Sequence, residues 1–438
     1  MKRKKAAIIT FGCQMNKYDS EVIEGILDDE GYEATEKLAE ADFILVNTCS
    51  IRDKAEQKLY SQLGRLKELK SANPELLIAV SGCVAQVQGS AIVDRAPYVD
   101  IVFGTRNIQR LPALLAEHRL NGVSVADVTP TLPEDADYDL PVKRTSDLQA
   151  WVTVMSGCDH RCTFCVVPMT RGPENSLPSA EIIRQVRNLA AEGYKEVTLL
   201  GQTVNSYKAD IDFPDLLGAV NEVDGIARIR FITSHPKDVS AHLIEQMAIL
   251  PKVCEHLHLP VQAGSDRILE AMARGYTAEH YRATVAALRK AMPDLSLTSD
   301  VIVAFPGETE EDFQATLELL EDVEFDSIFL FKYSPRPGTK AAEMANQVPK
   351  EVTQERFQRA LELQASISKR RNETLVGRTV EVLVEGESKR DATKLTGRTP
   401  SNKLVHFPVG TGLAVGDLAE ITITRAKLHS LEGELPLN

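Results

Sequence analysis

The sequence predicts an α/β protein with an amino-terminal parallel α/β domain, a central (β/α) barrel and a small carboxyl-terminal β-barrel. Apolar strands alternate with amphipathic helical stretches over most of the 438 residues, a pattern typical of parallel sheets. One acidic, proline-rich stretch at about 121–147 interrupts this alternation and predicts a linker. Beyond about residue 371 the apolar runs become short and are separated by glycines, as in small β-barrels.

Composition and charge restrict the class of protein. Hydrophobic residues make up 43% and charged residues 26% of the chain, which is ordinary for a globular protein. The net charge of −13 argues against general nucleic-acid binding, so an RNA substrate would need a local basic surface. The odd count of seven cysteines argues against a disulfide framework and favours a reducing cytoplasm. The apolar run 6–11 is too short for a signal peptide, and we expect no membrane partner.

The first domain, predicted over residues 1–120, alternates strands with helices. The predicted strands are Ala6–Thr10, Asp42–Val46 and Leu76–Val80, and the predicted helices are Ser20–Asp29 and Asp53–Leu69. Cys13, Cys49 and Cys83 each follow one of these strands. Since parallel strands end at one edge of a sheet, these thiols could converge although 36 and 34 residues separate them. The residues alone leave open the alternative of three separate buried thiols.

The central domain, predicted over 148–370, contains six strand–helix repeats and predicts a partial or full barrel. The predicted strands are 149–155, 196–200, 228–233, 254–259, 296–303 and 327–333. The predicted helices are 179–192, 214–222, 239–249, 265–291 with a break near Gly275, 309–322, and a long polar helix at 352–375. Active sites of such barrels lie at the carboxyl ends of the strands.

Three cysteines follow the first strand of this barrel. Cys158, Cys162 and Cys165 have the spacing C-x3-C-x2-C, and three thiolates leave one iron of a four-iron cluster open to a ligand. The alternatives are a zinc site with His160 as the fourth ligand, and cysteines that share one face of a helix. β-Branched residues before the motif and glycine and proline around it indicate a strand followed by a loop, which favours the cluster.

The carboxyl-terminal domain, predicted over 371–438, contains strands at Val380–Val384, Leu404–Phe407 and Leu418–Thr424. It carries nine basic and nine acidic residues, so it is neutral while the rest of the chain is acidic. Its basic residues include Arg378, Lys389, Arg390, Arg398 and Lys403, and such charges on a small domain usually form a solvated face. The family resemblance given below shifts the expectation for these five residues toward contact with RNA phosphates.

Six motifs give the chain a resemblance to a known family over essentially its whole length. They are Thr10-Phe-Gly-Cys-Gln-Met-Asn16, Asn47-Thr-Cys-Ser-Ile-Arg52, Cys162-Thr-Phe-Cys-Val-Val-Pro168, Thr170-Arg-Gly172, Gly201-Gln-Thr-Val-Asn-Ser-Tyr207 and Tyr333-Ser-Pro-Arg-Pro-Gly-Thr339. The chain resembles the methylthiotransferase family of radical S-adenosylmethionine (SAM) enzymes, and Gln14-Met15-Asn16 fits its tRNA-modifying branch. It departs from the family at Ala263, where serine is usual, at Ala304, where glycine is usual, and at Met169, where tyrosine is frequent.

The resemblance implies a radical SAM barrel, a carboxyl-terminal TRAM domain that binds RNA, and two 4Fe-4S clusters. One cluster would be held by Cys158, Cys162 and Cys165, and an auxiliary cluster by Cys13, Cys49 and Cys83. The implied reaction uses two SAM molecules per turnover, one as the radical source and one as the methyl donor. It inserts sulfur and a methyl group at C2 of N6-isopentenyladenosine at position 37 of tRNA, next to the anticodon. The implied partners are an electron donor such as flavodoxin or ferredoxin, sulfur and iron–sulfur carrier proteins, and the tRNA itself. The enzyme is expected to be a monomer.

Polar residues after the barrel strands are the candidates for SAM contacts. They are Gln202, Asn205, Ser234 and Asp300, each of which could instead be a turn or cap residue. No Ser-His-Asp triad is expected, because an aromatic C–H has no acidic proton for a side chain to remove and the cofactor performs that step. The rival interpretations are a metal-stabilised RNA-binding protein without turnover, an enzyme that modifies an aspartate of a ribosomal protein, and an electron-transfer protein.

Overall fold

The computed structural model of the chain describes residues 3–50, 55–129, 140–410 and 412–436. Its contacts divide the chain into two units. The first unit comprises Met1–Thr145, Ser156–Asp159 and Cys165–Asn175, and the second comprises Ser146–Met155, His160–Phe164 and Ser176–Asn438.

The first unit contains a parallel sheet with helices on both faces. Its strands are β1 (Lys4–Phe11), β2 (Tyr32–Ala34), β3 (Phe43–Thr48), β4 (Leu77–Gly82), β5 (Ile101–Phe103) and β6 (Val125–Asp127). Its helices are α1 (Gln14–Asp29), α2 (Ala55–Ala72), α3 (Cys83–Gln88), α4 (Ala91–Arg95), α5 (Leu111–Asn121) and α6 (Val167–Thr170). The strand order is β2-β1-β3-β4-β5-β6, and all pairs are parallel.

Both faces of this sheet are buried, which explains why its strands are continuous apolar runs rather than alternating ones. Ile44 and Val46 of β3 belong to a core that includes Leu59 of α2. Phe43 and Leu45 belong to a second core that includes Ile23 of α1. Successive residues of one strand therefore stabilise opposite layers of an α/β/α sandwich.

The three predicted strands and two predicted helices of this unit are present. Helix α1 begins at Gln14, six residues before the predicted start, because Cys13 already serves as its N-cap. The short strands β2, β5 and β6 and the helix α5 were not predicted, since three-residue strands are too short to show a period. The predicted helix start at Asp53 lies outside the described residues. So does the 130–139 part of the predicted linker, which contains Pro130, Pro133, Glu134, Asp135, Asp137 and Asp139.

The second unit contains an incomplete parallel barrel. Its strands are β7 (Gln149–Thr153), β10 (Glu196–Leu200), β11 (Arg228–Ile232), β12 (His256–His258), β13 (Ser296–Val303) and β14 (Ser327–Lys332), while β8 (Met155–Ser156) and β9 (Asn175–Ser176) are two-residue strands at the unit boundary. Its helices are α7 (Ser179–Ala191), α8 (Phe213–Asn221), α9 (Ala241–Ile249), α10 (Asp266–Ala271), α11 (Ala278–Ala291), α12 (Glu310–Val323) and α13 (Lys350–Glu373).

The six barrel strands form two three-stranded parallel sheets, β7-β10-β11 and β12-β13-β14. A parallel bridge between Ile229 and Val253 joins them. Residues of β13 alternate in burial, with Leu297 and Val301 in the large core shared with the helices. Thr298 and Asp300 lie on the opposite face, which lines the interior of the barrel. The predicted six-repeat barrel is therefore confirmed as a partial one.

The carboxyl-terminal strands close into a five-stranded barrel in the order β15-β16-β17-β19-β18. These strands are β15 (Thr379–Ser388), β16 (Asp391–Arg398), β17 (Leu404–Pro408), β18 (Leu418–Ala426) and β19 (Leu431–Glu434). Strands β16 and β19 were not predicted, because both carry mostly polar residues. The predicted small β-barrel is confirmed, and Phe407 is one of its buried core residues.

The small barrel packs against the amino-terminal edge of the central barrel. Arg228, the first residue of β11, donates to the carbonyl of Arg398 and pairs with Glu381 at 2.7 Å. Arg230, two residues later, donates to the carbonyls of Thr399 and Pro400 at 2.8 and 2.9 Å. Two buried guanidiniums therefore hold the small barrel at the edge opposite the strand ends where a cofactor site is expected.

Candidate functional site

Three thiols of the first unit meet at one point. Cys13 and Cys83 each form a hydrogen bond with the thiol of Cys49. Cys49 and Cys83 are buried, and Cys13 is partly buried. The structure thus brings together three side chains that are 36 and 34 residues apart in sequence, at the carboxyl edge of the sheet.

Local structure fixes where each thiol lies. Cys13 is the N-cap of α1, and Cys83 is the first residue of α3. Gly82 precedes it with φ +92°, and a Cβ there would lie 2.3 Å from the carbonyl oxygen of Thr48, so this tight strand-to-helix turn requires glycine.

Two asparagines join the sequence motifs that carry the first two thiols. The side chain of Asn16 donates to the Oδ1 of Asn47 at 3.1 Å, and the Nδ2 of Asn47 donates to the carbonyl of Asn16 at 2.8 Å. Both side chains are buried. This reciprocal pair sets the separation of β3 from the start of α1, and therefore that of Cys49 from Cys13.

The electrostatics of the triad favour thiolates. The hydrogen bond from Cys49 is the largest cause that lowers the pKa of both Cys13 and Cys83 to about 6, and the positive charge of Arg171 contributes to both. The pKa of Cys49 is raised, because its thiol is hydrogen-bonded with Cys13 and Cys83 and is buried. Thiolate is the form that binds iron or zinc.

The surroundings of the triad suit an iron–sulfur cluster. The Ser50 backbone hydrogen-bonds with Cys83, while the hydroxyls of Ser50 and Ser81 are buried and have no hydrogen-bond partner among the described residues. Such orphaned donors are available to the acceptor sulfurs of a cluster. A cavity of about 210 Å³ opens beside Cys49 and is lined by Thr10, Phe11, Gly12, Lys17, Ala55 and Lys58. The donor set of three thiols with nearby hydroxyls therefore fits the auxiliary cluster that the resemblance implied.

Cys158 and Cys165 belong to the same unit as this triad. The N–H of Cys158 donates to the carbonyl of Gly172 at 3.1 Å, and the N–H of Val167 donates to the Sγ of Cys165 at 3.4 Å. Gly157 has φ +81°, and a Cβ there would lie 1.9 Å from the carbonyl oxygen of Pro173. The loop therefore requires glycine directly before the first cysteine.

Cys162 belongs to the second unit, where a buried arginine contacts it. Arg274 donates to the Sγ of Cys162 at 3.3 Å and to the carbonyl of Pro260 at 2.9 Å. Thr163 is anchored to the same loop, through its N–H to Met272 at 3.0 Å and its hydroxyl to Ala271 at 2.8 Å. The guanidinium thus places a fixed positive charge beside the sulfur of Cys162.

His160 contacts Asp238 and His235 rather than the cysteines, and the three form a group of possible metal ligands of their own. Its Nε2 lies 2.7 Å from the Oδ2 of Asp238, and its ring stacks on that of His235 at 3.9 Å between centroids. This arrangement disfavours the zinc alternative, in which His160 would be the fourth ligand. Burial lowers the pKa of His235 to about 2, so its ring is neutral.

Buried polar atoms without partners cluster at the carboxyl ends of the barrel strands in the second unit. They belong to Thr153, Ser234, His235, Gln262 and Tyr333, which end or follow β7, β11, β12 and β14. Among the described residues these atoms have no hydrogen-bond partner, and such groups are rare in native proteins unless a ligand or water satisfies them. A polar ligand such as SAM, with its carboxylate, ammonium and ribose, fits this set.

The four predicted SAM contacts differ in their surroundings. The hydroxyl of Ser234 is one of the buried atoms without a hydrogen-bond partner among the described residues. The side chain of Asn205 instead forms two hydrogen bonds with the backbone of His235. Its Nδ2 donates to the carbonyl at 2.9 Å and its Oδ1 accepts from the N–H at 2.8 Å, so the observed role of Asn205 is to hold that loop. Asp300 faces the barrel interior with its Oδ1 3.5 Å from the Nε2 of His258, and Gln202 follows β10. Contact of any of the four with SAM stays a prediction.

Three of the five predicted RNA-binding residues pair with carboxylates of the same chain. Lys403 lies 2.6 Å from Asp326, Arg378 lies 2.8 Å from Asp294, and Arg398 lies 3.1 Å from Glu385. The Lys403 and Arg378 pairs join the small barrel to the central barrel, a role that the sequence did not indicate.

The other two, Lys389 and Arg390, occupy the turn between β15 and β16. Both are exposed, and neither has an ion-pair partner among the described residues.

Ala304, which stands where the family usually has glycine, has a backbone conformation that favours glycine. Its φ is +61°, in the left-handed region where glycine is favoured. Its N–H donates to Glu308 at 2.9 Å, and Glu308 pairs with the buried Arg356 at 2.8 Å. Ala263 is buried and Met169 is exposed, and nothing in the structure explains these two substitutions.

Sequence reasoning missed the two buried arginines beside the cysteines. Arg171 was part of a quoted motif without a role, and Arg274 was not singled out. Both act on residues distant in sequence, so no local pattern could have identified their partners.

No helix in the described part of the chain combines the length and apolarity needed to cross a membrane.

Comparisons with known proteins agree with this arrangement. Residues 5–104 match Uncharacterized protein family UPF0004, residues 152–320 match the Radical SAM superfamily, and residues 373–435 match the TRAM domain. The chain is 50% identical over 437 residues to tRNA-2-methylthio-N(6)-dimethylallyladenosine synthase from Thermoanaerobacter sp. (strain X514), covering 98% of this chain and 92% of that protein. It is 50% identical over 443 residues to the synthase of the same name from Moorella thermoacetica, covering 99% and 98%.

The chain belongs to the radical SAM methylthiotransferase family. Identity near one half over almost the whole length of both chains decides this. Membership supports the use of SAM and of iron–sulfur chemistry, as the cysteine motif predicted. The predicted domain boundaries at 120, 148 and 371 stay predictions.

Solved structures support the fold of the family at much lower identity. The radical SAM methyltransferase TsrM from Kitasatospora setae has a TM-score of 0.56 at 14% identity, covering 78% of this chain and 77% of that one. The cobalamin-dependent radical enzyme OxsB has a TM-score of 0.52 at 13% identity, covering 84% and 56%. These likenesses concern the fold alone.

Proposed function

We propose that the chain is a tRNA methylthiotransferase that inserts sulfur and a methyl group at C2 of N6-isopentenyladenosine at position 37. The observation that carries this proposal is the meeting of Cys13, Cys49 and Cys83 in a chain that also contains the C-x3-C-x2-C motif. An ordinary radical SAM enzyme needs only the second set of thiols. A separate triad of thiols supplies a second metal site, which a sulfur insertion can use.

We propose two 4Fe-4S clusters, one on Cys158, Cys162 and Cys165 and an auxiliary one on Cys13, Cys49 and Cys83. When bound, the first supplies SAM cleavage and the hydrogen-abstracting radical, and the second supplies the sulfur. The protein residues bind, orient and neutralise charge. Arg274 donates to the sulfur of Cys162, and the unpartnered groups at the strand ends would bind the polar groups of SAM.

The barrel interior offers a platform for the substrate base. Phe329 and Phe331 of β14 are exposed on the face that Asp300 shares, and the ring of His258 contacts that of Phe329 at 5.9 Å. Bases splayed out of an RNA loop stack on such aromatic rings. The apolar isopentenyl group suits the same surface.

The TRAM domain would bind tRNA phosphates through Lys389 and Arg390, because these residues project into solvent without a carboxylate partner among the described residues. Arg378, Arg398 and Lys403 would contribute less, since each already neutralises a carboxylate. The remaining expectations are a monomer in the cytoplasm, with flavodoxin or ferredoxin as electron donor and sulfur and iron–sulfur carrier proteins as partners.

The test separates the two sites. Changing Cys158, Cys162 and Cys165 to alanine should remove SAM cleavage and leave one cluster's iron, held by the auxiliary triad. Cys49→Ala should retain SAM cleavage, measured as 5′-deoxyadenosine, and lose the methylthio product, measured by mass spectrometry of tRNA nucleosides. Cys254→Ala is the matched control, because burial raises the pKa of this thiol to about 11 and keeps it protonated.

Two outcomes would contradict the proposal. A folded, anaerobically reconstituted triple variant without iron would show that no auxiliary cluster exists. Methylthiolation of a ribosomal-protein aspartate with no modified tRNA would place the chain in the other branch of the family.

A further inference from the structure

A buried ion pair lies beside the cysteine triad. The Nη2 of Arg171 is 2.5 Å from the Oδ2 of Asp19, and their side chains are only 7% and 9% exposed. Taking two charges out of water is costly, so a buried pair of this kind is weak evidence for stability alone. Its position therefore suggests a role in the site.

Both partners are carried by elements that also carry cysteine ligands. Asp19 lies on α1, whose N-cap is Cys13. Arg171 directly follows α6, which packs against α3, and α3 begins at Cys83. The same stretch of chain contains Cys165, six residues before Arg171. The arginine thus belongs by sequence to the radical SAM motif and directly follows a helix that packs against the helix beginning at Cys83.

The backbone around Arg171 is held independently of any cluster. Arg106 donates from its Nε to the carbonyl of Arg171 at 2.8 Å, and the hydroxyl of Thr105 donates to the carbonyl of Thr170 at 2.6 Å. A side chain on Gly172 would collide with the guanidinium of Arg106, so this clamp also requires glycine. Arg171 is therefore a fixed charge and not a mobile surface group.

This charge reaches the thiols. The positive charge of Arg171 helps to lower the pKa of both Cys13 and Cys83, while the negative charge of Asp19 raises that of Cys83. Burial raises the pKa of Asp19, and the neighbouring guanidinium offsets part of that rise. The two charges of the pair therefore act on the triad with opposite signs.

We propose that Arg171, oriented by Asp19, is a positioning residue that neutralises the auxiliary cluster and sets its reduction potential. This inference rests on the proposed function, because it needs the cluster on Cys13, Cys49 and Cys83. Three thiolates make the site strongly anionic, and a fixed cation in a low-dielectric environment favours the reduced, more negative form. Asp19 tempers that effect by cancelling part of the charge.

The experiment measures the midpoint potential of the auxiliary cluster in full-length protein. The background is Cys158→Ala/Cys162→Ala/Cys165→Ala, in which only the auxiliary site can hold iron. Arg171→Met removes the cation and should lower the potential, because the buried Asp19 then takes up a proton and leaves no charge. Asp19→Asn leaves the cation uncompensated and should raise the potential. Each shift should change the reduced-to-oxidised ratio about tenfold at a fixed poise, which is about 59 mV for one electron.

Two further variants separate charge from packing. Arg171→Lys keeps the charge and should keep a potential near that of the background protein. Arg110→Met removes a different cation of the same unit. Its partner is Asp127 and it is not among the main influences on the three thiols, so it should leave the potential unchanged.

Shifts of opposite sign in Arg171→Met and Asp19→Asn support the inference, since a purely structural defect would not reverse its sign. Loss of iron from Arg171→Met with retention in Arg171→Lys supports it as well. Unmoved potentials, shifts of the same sign, or equal loss of iron from the methionine and lysine variants would overturn it while leaving the auxiliary cluster in place. A background protein that binds no iron would overturn both the inference and the proposed function.

Discussion

Replacing Lys403 by methionine should destabilise the attachment of the TRAM barrel rather than weaken a phosphate contact. The Nζ of Lys403 lies 2.6 Å from Asp326, and the two side chains are 13% and 5% exposed. The same ammonium donates to the Oδ1 of Asn372 at 2.9 Å. Methionine retains the length of the side chain but removes the charge, so Asp326 loses its closest cation.

The magnitude follows from what remains around Asp326. Removing one partner of a buried ion pair costs about 3–5 kcal/mol, because the other charge is left in a low-dielectric environment. Here Asp326 retains the N–H of Leu297 at 3.0 Å and a longer contact with Arg371 at 3.4 Å. We therefore expect the lower end of that range, about 3 kcal/mol, for Lys403→Met. The exposed control Lys389→Met should stay within about 0.5 kcal/mol.

The cost should depend on pH with a defined sign. Burial opposes ionisation of Asp326, but the charges of Lys403 and then of Arg371 outweigh it and hold its pKa below the usual value. A carboxyl group with a depressed folded-state pKa stabilises the protein above its unfolded pKa of about 4 and loses that contribution as pH falls. The difference between Lys403→Met and the unmodified chain should therefore be complete at pH 7 and shrink below about pH 4.

The assay combines denaturant unfolding with tRNA binding. Lys403→Met/Asp326→Asn should recover part of the lost free energy of unfolding, because no uncompensated charge remains. In tRNA titrations, Lys389→Ala/Arg390→Ala should lower the salt slope by about 0.7–0.9 per lost contact, while Lys403→Met should leave the slope unchanged. A loss below about 1 kcal/mol together with a lowered salt slope in Lys403→Met would refute the docking role and restore Lys403 as a phosphate ligand.

Three further predictions concern the central barrel. Burial, followed by the charge of Arg230, lowers the pKa of His256 to about 3. The free energy of unfolding should therefore fall by about 1.4 kcal/mol between pH 7.5 and pH 5.5, because the histidine gains a proton only when the chain unfolds. Urea titrations at both pH values should show that His256→Gln lacks this loss. Ala304→Gly should raise the free energy of unfolding by about 0.5 kcal/mol, because the strain relieved at this positive φ outweighs the conformational entropy that glycine adds to the unfolded chain. A lowered unfolding midpoint would contradict this. Phe329→Ala should weaken binding of isopentenylated tRNA by about 1–3 kcal/mol through lost stacking, whereas Ile249→Ala, which removes an equally exposed apolar side chain, should leave it unchanged.

Much of the fold could be predicted because strands and helices are encoded by local periodicity. The six central strands fall within one or two residues of their predicted positions, since they are largely apolar runs bounded by turn residues. The failures share a cause. Strand β16 is Asp391–Arg398 and strand β19 is Leu431–Glu434, and such polar or short segments become strands only because a closed barrel supplies their partners.

The candidate site also has one part that the sequence identifies and one part that only the fold brings together. The spacing of Cys158, Cys162 and Cys165 defines a metal motif within eight residues, so the sequence is sufficient to find it. For Cys13, Cys49 and Cys83 the sequence offered a strand-end pattern that left separate thiols equally open. Their hydrogen bonds to one another are a result of the parallel order of β1, β3 and β4.

The sequence by itself determined the α/β alternation, the cysteine motifs and the family, because all three depend on residue types at short, fixed spacings. Only the tertiary structure decided which charges act where. Arg171 forms a buried ion pair in the unit that carries a triad drawn from three strands distant in sequence, and Lys403 pairs with a carboxylate of the central barrel. The physical reason is that the effect of a charge depends on its burial and on the distance to its neighbours, and neither is fixed until the chain has folded.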